Sequence, residues 1–294
     1  MNCTTIVSGA FYMVLGILPI PLYLRMLWVL LARKEFRKNE CFFLISQVGI
    51  CDFLMIVGQS IFGIRIASSY LLVFTEYVAV PVFASSWIAM LAMNFVLAVN
   101  RLKVLCNVYI PSKTIIALLA VAWLFGLFFF FSYATRTSPL VTVDGLSLFY
   151  DVTVPYAVLV QKIEFYGSMA LIGASLLVYQ YIIGSFAYQR CHGSGAIISR
   201  STAEFRLLTL SAVEFVSCAC LDMAWHFGDL FLPDSEWTGT AVNALIIFHC
   251  GWINPGLSML LSRKLRHAVF SVRGGQVDPS EPSRSRVLST DRRC

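Results

Sequence analysis

The chain has 294 residues, 58% of them hydrophobic and 13% charged, and it carries a formal net charge of +6. Soluble chains average about 45–50% apolar and about 25% charged residues, and a water-facing exterior needs more polar side chains than these. A soluble globular domain is excluded, and lipid is the solvent for most of the chain.

A helix needs about 20 mostly apolar residues to cross a hydrocarbon core about 30 Å thick. Runs of that kind fall at residues 8–32, 41–64, 72–100, 114–134, 156–187, 207–232 and 240–262. Barrel strands would alternate apolar and polar positions, whereas Ile115 to Phe131 is continuously apolar. The predicted fold is an all-α membrane protein, a seven-transmembrane helix bundle. Residues 1–7 form a short outer N-terminus and 8–262 the bundle. Residues 263–273 form a short interfacial amphipathic helix after span seven, and 274–294 a disordered tail rich in Pro, Ser and Arg.

Sidedness follows from Lys and Arg in the connections. Four follow the first span, three the third, three the fifth and eight the seventh, which places 18 of the 22 on one side. That side is cytoplasmic, so the N-terminus lies outside and the C-terminus in the cytoplasm. The positive charge is a topology signal and gives no case for nucleic acid as a partner.

The sequon Asn2-Cys3-Thr4 makes Asn2 a candidate glycosylation acceptor. In the first span, Arg25 and the pair Pro19 and Pro21 predict a bent, partly polar outer half. The second span carries Asp52. In the third, steps of three and four place Glu76, Val80, Phe83, Trp87, Met90, Asn94, Leu97 and Arg101 on one face. Glu76 then stands at the outer mouth, about 37 Å from Arg101 at 1.5 Å per residue. Phe83, Trp87 and Met90 suit the wall of a small apolar ligand site, although ordinary helix packing uses the same residues.

Thr135 to Pro155, with its Ser-Pro, Asp-Gly and Val-Pro steps, predicts a structured turn region or lid. The inner segment from Tyr188 to Arg206 predicts a flexible loop. In the sixth span Glu214, Cys218, Asp222, Trp225, His226 and Asp229 share a stripe. Ionisable groups in a span face the bundle interior or a water-filled cavity, and each is a candidate for function. The competing reading is a satisfied hydrogen-bonding group that fixes helix packing. His226 lies one turn beyond Asp222, within reach of a hydrogen bond. In the seventh span Asn243, Cys250 and Asn254 fall on one face, and Pro255 frees a carbonyl that Asn254 could partner. Asp52 is expected at a similar depth to Asn254.

Asp52, Asn100-Arg101, Trp123 and Asn254-Pro255, on seven spans with this topology, resemble a G-protein-coupled receptor of broadly rhodopsin-like architecture over residues 8–273. Lys38-Asn39-Glu40-Cys41-Phe42-Phe43, Leu97-Ala98-Val99-Asn100-Arg101 and Tyr109-Ile110-Pro111 are similar to the nematode serpentine chemoreceptors of the srv, srx and srt types. The resemblance implies an odorant or pheromone-like small ligand, a heterotrimeric G protein as partner and no cofactor. It also implies a multi-pass place in the plasma membrane, of a sensory neuron or its cilium. Arg101 would engage the G protein, with Asn100 in place of the usual acid before it. Asp52 and Asn254 would link spans two and seven, and Trp225 and His226 would stand near the rotamer switch. Glu76, Phe83, Trp87, Met90, Asp222, Trp225, His226, Asp229 and Asn243 form the candidate ligand set. Ser258 stands where the family has a tyrosine, residues 135–155 contain no cysteine, and the sixth span lacks an internal proline.

Two other classes fit part of the pattern. A proton-coupled transporter would use Asp222, His226 and Asp229, and a ligand-gated channel would pass current without a G protein. No enzyme is expected: His-Glu-x-x-His, Gly-x-Ser-x-Gly and phosphate-loop patterns are absent, and no metal-ligand spacing occurs among the four His.

Overall fold

Lipid offers a backbone N–H no partner outside its own segment, and each apolar run forms a helix in the computed structural model. The structure describes residues 3–68, 74–143, 147–191, 202–233 and 235–271. The sequon at Asn2 and the tail from 274 lie outside the described residues, as do most of the loop after span five and the side chain of Asp229.

In chain order the elements are α1 (Cys3–Ile17), α2 (Ile20–Ala32), α3 (Lys34–Arg37), α4 (Glu40–Ser68), a π-helical turn (Thr75–Ala79), α5 (Val80–Leu105) and α6 (Ser112–Ala134). There follow β1 (Leu140–Val143), β2 (Ser147–Tyr150), α7 (Pro155–Cys191), α8 (Thr202–Phe231), α9 (Glu236–Phe248), a second π-helical turn (His249–Ile253), α10 (Asn254–Leu261) and α11 (Arg263–Phe270). Among the described residues six continuous segments are long and apolar enough to cross a membrane, and Trp237–Leu260 taken together with the bent-off α11 makes a seventh. Helix α5 runs through the middle of the bundle against α4, α6, α7 and α8.

Prolines explain the breaks. Pro19 has no N–H to donate to Leu15, and the first span divides there into α1 and α2. The freed Leu15 carbonyl accepts instead from the Trp252 indole at 3.4 Å. Each π-helical turn stands just ahead of a proline, Pro81 or Pro255. A wider turn there accommodates a ring that cannot continue the i→i−4 ladder.

Arg25 departs from expectation. It lies in α2, beyond the break, and its Nε donates to the Val269 carbonyl at 3.2 Å while a terminal guanidinium nitrogen reaches the Ser271 carbonyl at 3.1 Å. Arg25 therefore serves the end of the bundle where the chain leaves span seven, not the half that precedes the prolines. Helix α11 itself turns 111° from span seven. Its Ser262 N-cap accepts from the Leu265 N–H at 3.2 Å, and its buried face is Leu265, Ala268 and Val269.

Helices α1 and α4 approach at backbone contact. A Cβ on Gly9 would stand 2.5 Å from the Ala67 nitrogen, and one on Gly63 would stand 2.8 Å from the Gly9 carbonyl oxygen. Small residues allow such contact, which is how membrane helices pack without a hydrophobic drive between them.

The segment after α6 is a two-stranded antiparallel hairpin, with Leu140 opposite Tyr150 and Val143 opposite Ser147. Arg136 carries φ of 60° and ends α6 in the left-handed region, its N–H on the Tyr133 carbonyl at 3.1 Å. Ser138 N–H to the Ser132 carbonyl and Asp151 N–H to the Pro139 carbonyl, both 3.0 Å, then fold the hairpin back across the bundle end.

Candidate functional site

A cavity of about 60 Å³ lies beneath the hairpin. Phe83, Trp87, Tyr133, Tyr150, Trp225 and Glu164 line it, along with Met55, Gln59, Leu140, Leu148, Asn243 and Ile246. A water needs about 10–15 Å³ measured in this way, so in this conformation the space holds a handful of waters or a very compact ligand. A larger molecule requires the hairpin to shift.

Three side chains tie hairpin to bundle. The Tyr133 and Tyr150 hydroxyls are 2.6 Å apart, and Tyr150 donates in turn to Glu164. Burial pushes the Tyr150 phenol well above its ordinary value, so it stays a neutral donor across the physiological range. Asp151 closes the following turn, accepting from the Thr153 N–H at 3.1 Å and its hydroxyl at 2.5 Å. Those hydrogen bonds hold its carboxyl below the usual value.

From the cavity floor a polar ladder runs between α5 and α8. The Trp87 indole donates to Asp222 at 3.1 Å, Asn94 to the Cys218 thiol at 3.4 Å, and Arg101 Nε to the Ser211 hydroxyl at 3.1 Å. The α5 members are spaced by seven residues, two helical turns, so all three stand on one face. Their α8 partners run in the opposite order, as an antiparallel neighbour requires.

At the far end Arg101 is 2% exposed. Its second contact is a terminal nitrogen on the Cys41 sulfur of α4 at 2.8 Å. Asn100 is fully buried, and neither of its side-chain polar atoms has a partner among the described residues. Asp52 lies nearer mid-bundle, where its Oδ2 accepts from Tyr23 at 2.9 Å and from Asn254 at 2.7 Å. The pair expected at a common depth is thus in direct contact, and Asn254 gives its amide to Asp52 rather than to the carbonyl freed by Pro255. Asp52, Asn254 and Glu214 also border a cavity of about 10 Å³, the size of a single water.

The structure sorts the candidate ligand set. Phe83, Trp87, Trp225 and Asn243 line the cavity; Asp222 stands behind Trp87. Met90 is fully buried in the core and does not reach the cavity. Glu76 does not line the cavity: it stands in the π-helical turn and pairs with Arg65 at 2.8 Å and Arg136 at 3.4 Å. His226 is 3.9 Å from Asp222, too long for the hydrogen bond its spacing allowed, and pairs with the Ser168 hydroxyl at 3.5 Å. Glu164, Gln59, Tyr133 and Tyr150 escaped the sequence reading. Glu164 and Gln59 left a signal, as polar side chains within long apolar spans.

No family model matches the chain, and no curated protein matches it in sequence. The fold is similar to that in the crystal structure of squid rhodopsin, with a TM-score of 0.69 at 14% identity over 90% of this chain and 84% of that one. At that identity the likeness is one of fold: this chain has the seven-helix architecture seen in that structure.

Proposed function

We propose that the chain is a G-protein-coupled chemosensory receptor, which binds a small external ligand under the hairpin and signals through a heterotrimeric G protein at the Arg101 end. The observation that carries this reading is the ladder of Trp87–Asp222, Asn94–Cys218 and Arg101–Ser211. It joins the cavity floor to a buried arginine through two helices whose relative position each rung fixes. A ligand that contacts Trp87 better in one arrangement than another shifts the population by its differential affinity. Movement of α8 away from α5 breaks the lower rung and uncovers Arg101. Cys41 and Ser211 are neutral partners, so the restraint on Arg101 is weaker than an ion pair.

The basic residues support the orientation. The sequence assigns 18 of them to the connections on the side of Arg101, which supports that side as the cytoplasmic face, with the hairpin and N-terminus outside the plasma membrane. The motifs shared with nematode serpentine chemoreceptors support an odorant or pheromone-like ligand and a sensory neuron or its cilium as the location.

The test is Arg101→Ala in cells with a promiscuous G protein. The expected result is loss of ligand-evoked signalling with surface expression within about twofold of wild type. Unchanged signalling overturns the coupling reading. The closeness of His226 to the buried Asp222, at 3.9 Å, supports proton-coupled transport as a second reading. A pH-driven flux in reconstituted vesicles, lost in Asp222→Asn, would install it in place of the first.

A further inference from the structure

The hairpin-end cavity has a charge of one sign. Among the described residues Glu164 is the one charged side chain in its lining, and it is 7% exposed. The cations of that end are committed elsewhere: Arg65 and Arg136 both pair with Glu76. Lys162 stands two residues before Glu164 on α7 and is exposed, since residues two apart point away from each other on a helix.

The rest of the wall complements a cation. Phe83, Trp87, Tyr133, Tyr150 and Trp225 present aromatic rings, whose negative faces attract an ammonium most strongly when it is desolvated. Gln59, at 2% exposure, lines the same space, and its Oε1 has no hydrogen-bond partner among the described residues. A buried acceptor left unpaired is costly, and a ligand N–H removes that cost.

We propose that this cavity takes a small protonated amine, with its nitrogen between the Glu164 carboxylate and the Gln59 amide oxygen and its carbon skeleton against Phe83, Trp87 and Trp225. The proposal rests on the reading of this cavity as the ligand site and names its ligand class. The volume of about 60 Å³ accommodates about four to six non-hydrogen atoms, counted as water-sized units. An arriving ammonium also competes with Tyr150 for Glu164, so binding loosens the tie that holds the hairpin down. A carboxylic acid meets like charge there, and an alcohol finds hydrogen bonds without the charge.

The experiment is thermal unfolding of the purified full chain in detergent at pH 7. The probes are isobutylamine, n-butylamine and cyclopentylamine, against isobutanol and isobutyrate. An amine should raise Tm by about 3–6 °C at a hundredfold excess over Kd. Isobutanol should need at least about tenfold higher concentration for the same rise, from a difference of about 1.4 kcal/mol, and isobutyrate should give none. Glu164→Gln should erase the preference for amine over alcohol, and Glu164→Asp should keep it. No shift with any of the amines, equal shifts with amine and alcohol, stabilisation by isobutyrate, or an undiminished preference in Glu164→Gln each overturns the proposal. The wild-type series decides the matter even if a variant misfolds. Because the melts need no G protein, failure of Arg101-dependent signalling leaves them readable. Arg101-dependent responses confined to neutral molecules would keep the receptor and overturn the amine.

Discussion

Asp52 takes two hydrogen bonds on one oxygen, from the Tyr23 hydroxyl of α2 and the Asn254 amide of α10. Three spans therefore meet at a single atom that is fully buried. Removing one partner of a buried hydrogen bond leaves the other group under-satisfied, at a cost of about 1–3 kcal/mol. Tyr23→Phe deletes one donor and leaves the ring, so it should lower stability by about 1–3 kcal/mol. A drop in Tm of detergent-solubilised protein measures this, and an unchanged Tm would show that the Asn254 amide alone satisfies Asp52. Trp87 has a comparable place at the top of the α5–α8 ladder. Its indole N–H is a donor to Asp222, and its ring is part of the cavity wall. One side chain thereby belongs to both the cavity wall and the ladder.

Helix α11 is held by side chains from the far end of the sequence. Arg25 reaches the Val269 and Ser271 carbonyls, and Arg33 reaches that of Ala268 at 3.3 Å. The last carbonyls of a helix have no partner within it, and a cation beside them also meets the negative end of the helix dipole. An eight-residue helix is far below the length at which isolated helices are stable, so these contacts and its apolar face decide whether it forms. Arg25→Ala should raise amide hydrogen exchange across 263–270 by about fivefold to thirtyfold, equivalent to about 1–2 kcal/mol of local stability. Exchange that stays at the wild-type rate would assign the helix to its apolar face alone. The hairpin relies on similar economy: two strands, one tyrosine relay to α7, and the Asp151 turn.

Across the whole molecule the seven spans were legible because lipid imposes one rule along the entire chain, and hydropathy reports it. Asp52 and Asn254 were legible for the same reason, as polar groups with nowhere to go but inward. Met90 shares the buried face but not the cavity lining, since a helical stripe shows which face is buried and not how far a cavity extends along it. Glu76 stands in the π-helical turn at Thr75–Ala79, where the period of an unbroken α-helix no longer fixes the face a residue takes. Tyr133 and Tyr150 belong to a tertiary contact between a helix end and a hairpin, which no local pattern encodes. Sidedness is a property of the whole bundle and has its own test. A glycosylation acceptor introduced at the exposed Val152 should be modified in cells, whereas one introduced after Phe270 should remain unmodified. The reverse pattern would invert the orientation and with it the ends assigned to ligand and G protein.

The hairpin between residues 135 and 155 contains no cysteine, and hydroxyl, carboxylate and backbone contacts secure it instead. Reductants such as dithiothreitol have no bond to cleave there. The protein can therefore be produced in a reducing host and purified under thiol protection without loosening its cover. A cysteine substituted for the half-exposed Phe149 would be the only thiol on that cover, a position for a fluorophore that reports its opening.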